Sequence, residues 1–231
     1  MSPRSLPFES AVATGRGDDG TTGLLFGGER IRKDDPRAEA YGTLDEAVAA
    51  LGVARVALTE AADPRADPRA GGAAAMSIGE LAGLVLRLQR ELFVAGAELA
   101  TNPDARDRQR DGETRVSRAM VDVLDITLQE LEAGIDLPRE FVVPGETRAS
   151  AALEVARTIV RRAERRAVTL ATGDPHLAEG CLLPYLNRLA DLLWILARAA
   201  EQAEARSATA ARLVREPAER VRTASPERNE Q

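Results

Sequence analysis

The chain has 231 residues, and 37 acidic against 31 basic side chains leave a formal charge of −6; that length fits one large domain or two small ones and that balance argues against a general nucleic-acid binder. Hydrophobic residues make up 44%, yet the aromatics are only four Phe, two Tyr and one Trp, so the core must be Ala, Leu and Val, as in close-packed helices rather than a β-sandwich. One Cys and one His exclude an internal disulfide, most zinc sites and imidazole-rich triads, and no apolar run reaches the roughly 18 residues of a membrane helix.

Residues 1–13 read as an irregular, mobile start without the apolar stretch of a signal peptide, which points to a cytoplasmic protein. TGRGDDGTTGLLFGG, Thr14 to Gly28, is too rich in glycine for a helix or strand interior and reads as an ordered loop. Asp35-Pro36 then offers an N-cap and a first-turn proline for a helix running to about Glu60, in preference to a later start at the Thr43/Glu46 capping-box spacing. Residues 61–75, with DPRA twice in tandem, read as a surface linker. A second helix spans Ser77 to Thr101, with Leu81, Leu84, Val85, Leu88 and Leu92 as its apolar stripe, and Asn102-Pro103 stops it. Val116 to Ala133 is a third helix, followed by an extended stretch, Ile135 to Pro144. Thr147 to Thr172 is a fourth and Cys181 to about Ala205 a fifth; beyond Ser207 the expectation is a short helix and then a disordered tail, with 206–231 mostly disordered. Five helices joined by loops make an all-α, five-helix bundle.

On the fourth helix, Ala156, Val160, Ala163 and Ala167 share the core arc at about 100° per residue, leaving Arg162 and Arg166 nearly opposite and solvated. Arg157, Arg161 and Glu164 follow the border of that arc. They read either as a salt-bridge ladder or as an anion site built from guanidinium forks. The fifth helix carries leucines round most of its circumference, so the stripe Asn187, Asp191, Trp194 and Arg198 needs partners: a network between helices, or a ligand pocket. The glycine loop can present backbone N–H groups to a phosphate chain or act as a flexible arm; it matches neither a Walker A nor a dinucleotide fingerprint. His176 reads as solvated and Cys181 as structural.

Together, TGRGDDGTTGLLFGGERIRKDD, AYGTLDE, LFVAGAELAT, FVVPG, ARTIVRRAERR and YLNRLADLLWILAR resemble the PduO-type ATP:cob(I)alamin adenosyltransferase family, over about four-fifths of the chain. The resemblance implies a ferritin-like five-helix bundle, homotrimeric, with each active site between adjacent subunits. It implies transfer of the 5′-deoxyadenosyl group of ATP to the Co(I) of a reduced corrinoid, with magnesium, giving adenosylcobalamin and triphosphate. The metal's ligands are unknown. Because cobalt is itself the nucleophile, such an enzyme needs no Ser, Cys or His to attack C5′.

By the same resemblance, Arg161, Glu164, Arg165 and Asn187 contact the nucleotide. Lys33 lies near the phosphates, and Thr14, Gly15, Arg16, Gly17 and Thr22 belong to the loop, within 14–34, that wraps them. Asp45 pairs with Arg157 across the subunit interface, and Phe141 packs at the lower corrin face, keeping the axial base off cobalt. Implied partners are a cobalamin reductase and an adenosylcobalamin-dependent enzyme, with neither nucleic acid nor membrane. The chain departs from the family pattern in the Thr14-Gly15-Arg16-Gly17-Asp18 order, at Val48, at Asp19 and at Glu146, which follows Pro144-Gly145. These departures favour the alternative of a non-catalytic corrinoid- or nucleotide-binding paralogue acting as carrier or regulator.

Overall fold

The computed structural model describes residues 10, 12–62 and 76–211. Of the start, expected to be mobile, only Ser10, Val12 and Ala13 are described, and nearly all of the linker and the tail from 212 onward lie outside the described residues. Helix α1, Pro36–Ala61, begins where Asp35 accepts the Arg37 N–H and Pro36 fills the first turn. The alternative start fails because the Thr43 hydroxyl donates to the Glu39 carbonyl inside the helix. Helix α2, Ile78–Ala100, opens on a full capping box between Ser77 and Glu80. Helix α3, Arg118–Gly134, is capped by Ser117, and α4, Arg148–Ala171, by Thr147. A one-turn α5, Pro175–Ala178, precedes α6, Leu182–Ala203.

Among the described residues the expected helical bundle is thus five long helices with two short additions, the turn α5 and a 3-10 helix over Pro103–Arg108. Ala40, Leu44, Ala47, Leu51, Ala54 and Leu58 line the buried face of α1. Leu153, Ala156, Val160, Ala163 and Ala167 do so on α4. Alternating Ala with larger residues lets these two helices approach closely, and α1 packs on both α2 and α4. Helix α6 lies between α3 and α4 and is buried round most of its surface. Tyr185 anchors it to α2 by donating to Glu91 at 2.9 Å. Burial lifts the Tyr185 hydroxyl well above its ordinary range, and Glu91 raises it further. Among the described residues no helix is long and apolar enough to cross a membrane.

Two ends of the bundle carry the connections. At one, the loop from Thr14 docks on the end of α2: the Leu25 N–H donates to Ala100 and the Asn102 N–H to Leu25. Arg37 and Arg106 both reach the buried Asp174 there. At the other end, strand β3, Val142–Val143, pairs antiparallel with β4, Thr209–Ala210. Thr209–Ala210 are therefore strand, and the rest of the stretch expected to hold a short helix, from 212 onward, lies outside the described residues. The chain turns back because Ala205 adopts φ 55°, returning the Arg206 N–H to the Glu201 carbonyl at 2.8 Å.

Candidate active site

The glycine-rich segment is an ordered structure. Two short strands, Thr21–Thr22 and Ile31–Arg32, pair antiparallel within it. Arg30 staples the fold, donating to the Thr21 hydroxyl at 2.7 Å and to the Arg16 carbonyl at 2.8 Å. Asp19 accepts from both the hydroxyl and the N–H of Thr21, and the hydroxyl bond is the larger cause holding this exposed carboxyl below its usual range. Gly28 is required twice over: its φ is 96°, and a Cβ would fall 2.1 Å from Asn102 Nδ2. Lys33 folds its Nζ against Gly17, where a Cβ would come within 3.0 Å. Thr14 and Arg16 are exposed, while Gly15, Gly17 and Thr22 are half-buried.

A cavity of about 1130 Å³ opens between α3, α4, α6 and the 135–147 connection. Arg157 and Arg161 stand on its α4 wall, Asp191 and Trp194 on its α6 wall. Phe141 stands on its rim, 92% exposed. Leu128, Val142 and Ile195 add apolar surface. No Ser, Cys or His lines it. Among the described residues no carboxylate pairs with Arg161, so its guanidinium is available to a ligand.

Arg157 is held from within. Its Nε donates to Glu154 at 2.6 Å; Glu154 faces Arg198 at 3.5 Å; and Arg198 donates to Glu201 at 2.7 Å. Arg198 and Glu201 are each 1% exposed. The polar stripe of α6 therefore divides. Arg198 belongs to this closed network and lies 5.6 Å from the Trp194 ring. Asp191 and Trp194 face the cavity, and Asn187 donates to Glu164 at 3.3 Å. Arg165 is exposed and donates to the Arg161 carbonyl.

Arg162 and Arg166 are solvated as expected, with side chains 40% and 50% exposed, and they also make surface pairs across to α1: Arg162 with Glu46, and Arg166 with Glu39 at 3.3 Å. His176 is not a solvated loop residue. It sits in α5, half-buried, 3.1 Å from Gln109, and burial lowers its pKa.

Within one chain the ATP-binding candidates fall into two groups. Arg161 lines the cavity, beside Arg157, while none of Thr14, Gly15, Arg16, Gly17, Thr22, Lys33, Glu164, Arg165 and Asn187 does. Asp45 is exposed on α1, and within its own chain Arg157 pairs with Glu154.

A second cleft, about 350 Å³, is lined by His176, Cys181 and Glu98, the last of which the sequence did not single out. Glu98 there accepts the Val116 N–H at 2.7 Å, while its Oε1 has no partner. Burial lifts its pKa from 4.5 to about 7. Cys181 lines the same cleft as a free thiol. Only the lone glutamate in an apolar helix face, LFVAGAELA, could have flagged it. Among the described residues no group of three or more His, Cys, Asp or Glu could hold a metal ion.

Residues 12–200 match the cobalamin adenosyltransferase family. A corrinoid adenosyltransferase from Citrobacter freundii is 39% identical over 190 residues, covering 82% of this chain and 94% of the relative. One from Mycobacterium bovis is 37% identical over 195 residues, covering 82% and 88%. Among solved structures, a variant PduO-type ATP:corrinoid adenosyltransferase from Lactobacillus reuteri, complexed with cobalamin and ATP, superposes with a TM-score of 0.68. It is 26% identical and covers 87% of this chain and 96% of its own.

Proposed function

The chain belongs to the cobalamin adenosyltransferase family, and from that premise we propose that it transfers the 5′-deoxyadenosyl group of ATP to the Co(I) of a reduced corrinoid. The electron pair on cobalt forms the Co–C5′ bond as the C5′–O bond breaks, and those bonding electrons leave on triphosphate. The observation that carries this reading is the cavity itself: large, lined by the apolar Phe141 and Trp194 and by Arg157 and Arg161 among several carboxylates, and without Ser, Cys or His. Such a site suits a reaction whose nucleophile is the substrate.

The protein's work is alignment and charge stabilisation. Arg161 and Lys33 neutralise the departing triphosphate, and the N–H groups of Thr14 to Gly17, with Thr22, wrap it. Glu164, Arg165 and Asn187 orient the nucleoside. Phe141 occupies the lower corrin face, excludes the axial base and keeps cobalt four-coordinate. Magnesium arrives on the triphosphate oxygens, in keeping with its preference for phosphate and water over an all-protein cage.

The two separated groups of nucleotide residues support a homotrimer in which one subunit supplies the loop and the next supplies Arg157 and Arg161. Exposed apolar residues on the same helices agree: Val53 and Val56 on α1 are 64% and 52% exposed, and Val155 on α4 is 55% exposed. At about 100° per residue, Asp45 shares an α1 face with Val56 and so faces a neighbour, where it would meet Arg157. The enzyme is cytoplasmic in this reading, taking Co(I) from a reductase and passing adenosylcobalamin to a dependent enzyme. Arg161→Ala tests the assignment. It should lower turnover by about a hundredfold or more while the chain stays folded; an unfolded variant, or one with unchanged turnover, assigns Arg161 to the scaffold instead.

A further inference from the structure

Glu146 has no role in the site just described, yet its environment is specific. It belongs to the connection between α3 and α4 that carries Phe141, and its carboxylate is only 19% exposed although the connection lies at the surface. It does not line the cavity. It turns toward the chain leaving α6: the Thr209 hydroxyl donates to its Oε1, and Arg206 Nη2 lies 4.0 Å from its Oε2.

Thr209 opens β4, whose pairing holds Val143 opposite Thr209 and Val142 opposite Ala210. One residue further, the Ala211 N–H donates to the carbonyl of Phe141 itself, at 2.7 Å. The start of the same connection is tied to α6, with Gln202 Nε2 donating to the Asp136 carbonyl and Oε1 accepting the Asp136 N–H. Phe141 is thus carried on a stretch suspended from residues 202–211. A two-residue ladder has little stability of its own, so the side-chain tie at Glu146 decides whether it stays paired.

We propose that Glu146 is a positioning residue: by holding Thr209 and Arg206 it keeps β4 on β3 and so fixes the Phe141 ring at the rim of the corrinoid cavity. This rests on the reading of Phe141 as the residue beneath the corrin. The clamp acts on corrinoid binding and leaves the nucleotide residues, which sit on other elements, undisturbed.

The test uses the full chain with Glu146→Ala and Glu146→Gln, hydrogen exchange of the Ala211 amide, and separate KM values for cob(I)alamin and ATP. Glu146→Ala should speed Ala211 exchange by about tenfold and raise the corrinoid KM about fivefold or more, with the ATP KM unchanged. Glu146→Gln keeps an acceptor for Thr209 and should recover most of both effects. Unchanged exchange in Glu146→Ala overturns the proposal, as does a change confined to the ATP KM. A parent chain that makes no adenosylcobalamin overturns the functional reading alone; the exchange comparison then still decides whether Glu146 holds the loop.

Discussion

Replacing Glu154 by Gln changes one charge and almost no volume, and the consequence can be followed through the structure. Arg157, Glu154, Arg198 and Glu201 form a chain with contacts of 2.6, 3.5 and 2.7 Å, and its two positive and two negative groups balance. With Gln the cluster carries one uncompensated positive charge, and Arg198 is 1% exposed. Breaking a buried pair from one side costs about 3–5 kcal/mol. Two features reduce this: the Gln carbonyl still accepts from Arg157, and Glu201 still faces Arg198. We expect a loss of about 2–3 kcal/mol, which for a chain of this length lowers the unfolding midpoint by about 4–12 °C. Thermal unfolding followed by circular dichroism reads that shift. Arg157 also loses its charged anchor on the cavity wall, so turnover at saturating substrates should fall by about tenfold to a hundredfold. A midpoint within about 1 °C of the parent with full turnover would refute the network as both a stabilising and an orienting element.

Three further outcomes follow from other parts of the molecule. Glu98, with its pKa raised from 4.5 to about 7, stays protonated in the folded chain while the unfolded chain ionises. Stability should therefore fall as pH rises through that window and level off above it; denaturant titrations at several pH values should find this slope missing in Glu98→Gln. Asp174→Asn leaves Arg37 and Arg106 without their shared carboxylate and should destabilise by about 3 kcal/mol, measured by urea unfolding. Gly28→Ala forces a Cβ onto Asn102 at a φ of 96°, so the loop should undock from the end of α2, raising the ATP KM while the helical circular dichroism spectrum is kept.

The helices were legible because their signals are local. Asp35-Pro36 caps the helix it was expected to cap, and the apolar periodicities read on α2 and α4 became buried faces. Arg157 and Arg161 meet Trp194 and Phe141 in one cavity, a grouping that their separate motifs did not state. What escaped was long-range. Glu46 and Arg162, or Asp174 and Arg37, lie far apart in the chain and meet only once helices pack; no spacing rule encodes such partners. For Arg198 the choice between an interhelical network and a pocket stayed open, because helical spacing reports a shared face and not what covers it. Strand β4 has two residues, too few for a periodic signal, and pairs because Ala205 turns the chain back.

The central claim is that this cavity joins the adenosyl carbon of ATP to cobalt. Its most direct test is an anaerobic reaction of the full chain with ATP, magnesium and chemically reduced cobalamin, with adenosylcobalamin and triphosphate both quantified. The account predicts that the two products appear in equal amounts and that neither forms when ATP is omitted. Bound corrinoid with no adenosylcobalamin would contradict it and identify the chain as a carrier.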